Sequence, residues 1–389
     1  MLRKILWAEV VVLLGLILGV QFWLPGFVED QLNRVEPHPP WTISPEAAAL
    51  HATLPVADLH ADPLLWKRDW LARSTRGHTD LPRLQEGGVA LQVLTAVTKS
   101  PSGQNYESNA SDSDTITYLA MAQLWPMATW NSPFERALYQ GQKLADWDQR
   151  AGNTFRVIRN QSDLLGLMAE RERGRPALGG IFGVEGAHAL DGDLANLDRL
   201  DTLGLRVVGL THFFDNRLGG SLHGITGEGL TAFGRRVVLE ADRRSMVIDV
   251  AHASPRMVVE VLDLIDRPVI LSHGGFKGVC DSPRNLEDSL MIELAEHGAL
   301  IGIGFWDGAA CDYTPQGVVK AIRYGIDLLG VDHIALGSDY DGATQVLFDA
   351  SELAILTQTM LDEDFSKEEI RKVMGANAID FFLANLPRQ

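Results

Sequence analysis

Eight short apolar runs, separated by stretches of helical periodicity, constrain this chain more than any other feature. They are "LPVADLHAD" from Leu54, "VALQVLTAV" from Val89, "ALGGIFGVEG" from Ala177, "LRVVGLTH" from Leu205, "SMVIDVAHAS" from Ser245, "RPVILSHGG" from Arg267, "ALIGIGFW" from Ala299 and "DHIALGSDYDG" from Asp332. Runs this continuous suit strands covered on both faces, which is the habit of parallel sheets. The intervening segments read as amphipathic helices: in "PRMVVEVLDLID" the residues Met257, Val258, Val261 and Leu262 fall on one face. Eight such units predict an α/β fold, a closed (β/α)8 barrel of the TIM type over residues 54–389, with an open doubly wound sheet as the alternative. Residues 98–176, with Trp125, Trp130 and Trp147, are too many for one crossover and predict a helical insertion.

The runs end in an unusual way. The first closes on His60 and Asp62, the third on Glu185, the fourth on His212, the fifth on His252, the sixth on His273 and the eighth on Asp339 and Asp341. Residues i and i+2 of a strand point the same way, so His60 and Asp62 project together, with the spacing of metal ligands or of a simple strand cap. One histidine after a strand is ordinarily a hydrogen-bonded loop residue. Four of eleven histidines in that position favour a shared site, because the carboxyl ends of barrel strands converge on one pocket. His333 precedes its strand and reads as structural, as do His38, His51, His78, His223 and His297, while His188 reads as a neighbour of the ligands. Asp341, followed by Gly342, reads as a loop-turn residue.

Ahead of the barrel, Arg3 and Lys4 precede a mostly apolar run from Ile5 to Leu24, and Glu29 and Asp30 follow it. About 20 apolar residues suffice to cross a bilayer, and basic residues stay on the cytoplasmic side. Residues 1–24 are therefore predicted to be a transmembrane anchor, 25–53 a proline-rich stalk, and the body to lie outside the cytoplasm, periplasmic or extracellular. Secretion after signal cleavage is the alternative. A net charge of −17 excludes nucleic acid as a main partner and favours small molecules. Cys280 and Cys311 read as core thiols, with a bridge between them the alternative for an exported domain. A homodimer is compatible with the sequence, which does not decide the matter.

The set "DLHAD", "GVEGAHAL", "LTHFFDN", "DVAHAS", "SHGG", "SPRN" and "LGSDYDG", in that order over residues 54–380, resembles the membrane dipeptidase (renal dipeptidase) family of zinc metallopeptidases. The resemblance implies a barrel of the metal-dependent hydrolase type with two zinc ions. One would be held by His60 and Asp62, the other by His252 and His273, with Glu185 bridging them. It places His212 at a substrate-polarising histidine, Arg284 at the group that binds the substrate carboxylate, Asp339 at the catalytic acid/base and Trp306 at an aromatic that shapes the pocket. Three departures, "HADPL" for "HNDLP", "SHG" for "SHS" and Trp306 itself, bear on substrate preference and leave the ligands intact.

The residue chemistry agrees with that implication. Imidazole and carboxylate without thiolate suit catalytic zinc, which keeps a coordination position open. Metal-bound water becomes a nucleophile near neutral pH. A guanidinium such as Arg284 matches a free carboxylate with two parallel hydrogen bonds, which would select dipeptides. Two other function classes stay open: another binuclear amide or lactam hydrolase acting on a β-lactam-like ring, and a non-catalytic barrel that only binds. No lysine ends a strand, and no ligand is missing.

Overall fold

Pairing of Leu91–Val97 with Gly179–Glu185 closes the sheet and decides between the two architectures. The structure, a computed structural model, describes residues 21–388 and, before them, Trp7, Glu9, Gly15 and Gly19. Its strands are β1 (Val56–Ala61), β2 (Val89–Val97), β3 (Phe155–Val157), β4 (Leu178–Glu185), β5 (Leu205–Gly209), β6 (Val247–Asp249), β7 (Ile270–Gly274), β8 (Leu300–Ile303) and β9 (Ile334–Leu336). All pairings among them are parallel, and β1, β2, β4, β5, β6, β7, β8 and β9 form the ring. These eight are the eight apolar runs. The open sheet is excluded by the β2–β4 ladder.

One apolar cluster gathers Leu59, Val93, Ile181, Val207, Val247, Ile270, Leu300 and Ala335, a side chain from every ring strand, with Ile379 and Phe382 of the helix Asn377–Asn385. A larger cluster lies between the strands and the surrounding helices. The helix Pro255–Leu262 shows how the local sequence dictates this layer. Ser254 caps it by accepting from Met257 N at 3.1 Å, Pro255 fits its first turn, and Met257, Val258 and Val261 are buried.

Three expectations change. The insertion carries the helices Ile116–Ala122, Pro133–Ala151 and Gln161–Glu172, but also β3, which pairs with β4 below the start of β5. Three residues are too few for periodicity to reveal a strand. Cys280 and Cys311 are a disulfide, not two thiols, because the loops after the adjacent strands β7 and β8 bring their Cα atoms to 5.4 Å. The predicted stalk is applied to the barrel: it holds the helices Leu24–Leu32 and Pro45–His51, buries Glu29 and bridges Val35 to Val346. Proline content reports stiffness, not what a segment lies against. Among the described residues no helix is long and apolar enough to cross a membrane. The anchor predicted over residues 1–24 falls mostly outside the described residues.

Candidate metal centre

A single carboxylate is the meeting point of the strand ends. Glu185 closes β4, and Gly186 follows at φ 89°, where a Cβ would stand 2.3 Å from the His188 ring; only glycine turns the chain away there without strain. Glu185 Oε1 lies 3.5 Å from His60 Nε2, 3.2 Å from His252 Nε2 and 3.4 Å from His273 Nε2. Its other oxygen lies 3.3 Å from His212 Nε2. His60 Nε2 also faces Asp62 at 3.3 Å and Asp339 at 3.8 Å, and the Nε2 atoms of His252 and His273 are 2.9 Å apart.

The topology explains the convergence. His60 and His273 sit near the ends of β1 and β7, while His212, His252, Trp306 and Asp339 are each the third residue beyond β5, β6, β8 and β9. His252 and Asp339 adopt left-handed backbone, φ 63° and 58°, a conformation that costs a non-glycine residue about 1 kcal/mol or more and persists where the surroundings dictate it.

Behind these groups stands a set of polar residues that sequence reading missed. Ser272 Oγ donates to Asp249 Oδ2 at 2.6 Å and lies 2.8 Å from His273 Nδ1 and 3.3 Å from His60 Nδ1. Asp249 Oδ1 accepts from the backbone N–H groups of Ala251 and Ser272. His60, Asp249 and His273 are close enough to form a ligand trio of their own. Both Asp249 oxygens are occupied, and Ser272 links Asp249 to the Nδ1 edges of His60 and His273, an arrangement suited to holding both rings with Nε2 toward Glu185. Thr95 donates to Asp62, while Ser338 and Gln92 donate to the buried Asp58. The available signal was an acid inside an apolar strand, Asp58 in "VADLH" and Asp249 in "VIDVAH".

Burial sets the electrostatics. It pushes Glu185 well above the ordinary carboxylate value, with Asp62 and Asp339 adding repulsion, and takes Asp339 up to about 8. It depresses His252 and His273 strongly and brings His212 down to about 4. For His60 burial also pulls downward, but the facing Asp62, Glu185 and Asp339 outweigh it and raise the ring to about 10. A cation at this centre would favour ionised oxygens and unprotonated nitrogens together. His60, Asp62 and Glu185 form one trio of ligand atoms within 4.8 Å of one another, and Glu185 also joins His252 and His212 or His273. The donor set fits two divalent ions sharing Glu185.

On one flank, Arg284 is 2% exposed, donates to the His273 carbonyl at 2.8 Å and lies 5.6 Å from the centre of the Trp306 ring. Trp306 Nε1 donates to Tyr106 OH at 2.9 Å. Tyr106 comes from the insertion, in a polar loop where nothing in the sequence marks it. His223, read as structural, packs 5.3 Å from the His252 ring and borders the site. His188 packs at a tilt on Phe214, ring centroids 4.9 Å apart, with both ring nitrogens unpartnered. His51, His78, His297 and His333 bond to loops and helices away from the centre. Asp341 lies in a turn, as the sequence suggests, but not at the surface. It is fully buried and accepts from Arg68, Thr79 and the His78 backbone.

Residues 45–383 match the family model described as membrane dipeptidase, peptidase family M19. An uncharacterized dipeptidase of Schizosaccharomyces pombe is 30% identical over 319 residues, covering 78% of this chain and 71% of its own. Dipeptidase 3 of Mus musculus is 28% identical over 370 residues, 87% of this chain and 66% of its own. A metallopeptidase structure from Rhodobacter sphaeroides, liganded with a phosphinate mimic of the dipeptide L-Ala-D-Ala, superimposes with a TM-score of 0.70 at 25% identity, covering 86% of this chain and 99% of that one.

Proposed function

Because the chain belongs to the membrane dipeptidase family, peptidase family M19, and is thus a metallodipeptidase, we propose a division of labour among its buried residues. His60 and Asp62 would hold one zinc ion and His252 and His273 the other, with Glu185 shared between them. The observation that carries this is the position of Glu185 Oε1, within 3.5 Å of three histidine Nε2 atoms contributed by three different strands or their loops. When bound, two such ions would acidify a water molecule and polarise the substrate carbonyl.

The chain's own residues supply the rest. Arg284 receives the free carboxylate of the substrate, and burial strengthens that contact by excluding competing water. Trp306 and Tyr106 wall the same flank. His212 presents Nε2 to the opening that Glu185 Oε2 faces, the place from which it meets the carbonyl oxygen. Asp339, raised to about 8 by burial, carries a proton toward the leaving amine. The ligand of the Rhodobacter structure supports a dipeptide at this centre and brings in tolerance of a D-residue on the carboxyl side.

The disulfide supports a location outside the cytoplasm, since such bonds persist in oxidising compartments. We infer that residues 1–24 anchor the domain to the membrane on that side. Dipeptides should be cleaved and the corresponding tripeptides spared, with two zinc ions per chain by metal analysis. Cleavage of tripeptides at a comparable rate, or a single metal at full activity, would refute the proposal.

A further inference from the structure

The helix Leu24–Leu32 lies outside the family-matched residues 45–383, yet it reaches the metal centre. Val28 and Leu32 form one wall of a cavity of about 200 Å³ whose other apolar residues include Leu65, Trp66, Ile116 and Leu119. Its floor is Asp62, Glu185 and His212, and among the described residues no other charged side chain lines it.

This helix is fixed, not draped. Glu29, 1% exposed, accepts from Arg68 and from Arg76 Nε at 3.3 Å, and Arg68 continues the link to Asp341. Asn33 Oδ1 accepts from Ala343 N at 2.8 Å, and the backbones of Arg34 and Glu36 pair with Val346. The loop so gripped carries Asp339.

We propose that the segment ahead of the family-matched region is a specificity element: its Val28 and Leu32 complete a pocket for the side chain of the substrate's amino-terminal residue, which should be leucine- or phenylalanine-sized. The inference rests on the dipeptidase reading and on Arg284 as the carboxylate partner. A dipeptide with its carboxylate at Arg284 and its carbonyl over Glu185 directs its second residue toward Trp306. Its first residue points the other way, to the Asp62 and His212 side, where this cavity opens. Neither Arg284 nor Trp306 lines the cavity. An apolar space of about 150 Å³ accommodates benzene, so the volume suits an aromatic or branched aliphatic group. A charged side chain would find only Asp62, Glu185 and His212 to offset its desolvation, and the proposed function commits the two carboxylates to metal and His212 to the substrate carbonyl.

The test uses the full-length, zinc-loaded chain and dipeptides that share glycine as the second residue. Wild type should prefer Phe-Gly and Leu-Gly over Gly-Gly by about tenfold or more in kcat/KM. Val28→Trp, which fills the cavity, should shift the Phe-Gly to Gly-Gly ratio down about tenfold. The double substitution Val28→Ala with Leu32→Ala, which only removes atoms and cannot clash, should lower the Leu-Gly to Gly-Gly ratio about fivefold or more through KM. A working dipeptidase whose ratios stay unaltered in both variants overturns this inference alone. Failure of the wild type to cleave any dipeptide overturns the dipeptidase reading, and the inference with it.

Discussion

Ser272 Oγ donates a 2.6 Å hydrogen bond to Asp249 Oδ2 while facing the Nδ1 edges of two histidines. A hydroxyl has one proton to give, and the carboxylate takes it. Its oxygen is then free to accept from Nδ1–H, which fixes the His273 tautomer and leaves Nε2 as a lone pair for a cation. Ser272→Ala should therefore weaken metal retention about 10-fold or more, with activity recovered by excess zinc. A variant that keeps its metal through dialysis as well as wild type would show that the hydroxyl is packing alone.

Glu185→Gln keeps the shape of the side chain and loses its charge. With four histidine nitrogens within 3.5 Å of its two oxygens, the variant should lose nearly all turnover and fail to retain at least one ion. Two zinc ions per chain with normal turnover would remove Glu185 from the bridging position and weaken the whole ligand assignment.

Arg284→Ala separates substrate recognition from architecture. KM for a free dipeptide should rise about tenfold or more, since a charge-assisted pair is lost. The same variant should treat a C-terminally amidated analogue much as wild type does. Equal losses on both substrates would make Arg284 a structural residue, held by the His273 carbonyl and the Trp306 ring.

Much of this centre was legible because a barrel converts sequence order into spatial order. Once eight apolar runs are taken as strands, the residue types at their carboxyl ends must share one pocket, and Glu185, His212, His252 and His273 do. What stayed hidden depends on segments without periodicity. Tyr106 reaches Trp306 from a loop of polar residues, and β3 is three residues long. The Cys280–Cys311 bridge spans 31 residues and follows from the adjacency of β7 and β8, not from cysteine spacing. Glu29 was visible only as a charge flanking an apolar run; its role in pinning a helix over the site appears when Arg68 and Arg76 are placed beside it.

Metal binding should depend on pH with a definite sign. The carboxylates around His60 hold its proton up to about pH 10, above the ordinary imidazole value of about 6.5. In the metal-free fold that proton contributes stability that is fully present below about pH 6.5 and lost as pH rises through about 10. An ion taking Nε2 must expel it, so apparent affinity should tighten about tenfold per pH unit for each proton displaced, until pH approaches 10. Calorimetric titration in buffers of differing protonation enthalpy should register the release. An affinity flat between pH 6 and 9 would contradict the arrangement.

Asp339 and Asp341 are two residues apart, both in left-handed backbone, and make opposite demands. Asp339 lies 3.8 Å from His60 Nε2 and is raised to about 8 by burial, with Asp62 and Asp58 opposing ionisation and His60 and Arg284 favouring it. Asp341 lies below the ordinary carboxylate value: burial alone would raise it, but Arg68, His78 and Thr79 outweigh that. Asp339→Asn cannot accept a proton, so kcat should fall about 100-fold or more while zinc content and thermal stability hold, since the proposed ligands His60, Asp62, Glu185, His252 and His273 would keep the ions without it. Asp341→Asn removes the charge opposite the buried Arg68, so it should cost about 3 kcal/mol of stability. It should leave kcat per folded molecule near wild type. Loss of zinc from Asp339→Asn would make that residue a ligand, and near-normal turnover would leave the leaving amine without its proton donor; either result overturns the division between the groups that hold metal and the group that moves the proton.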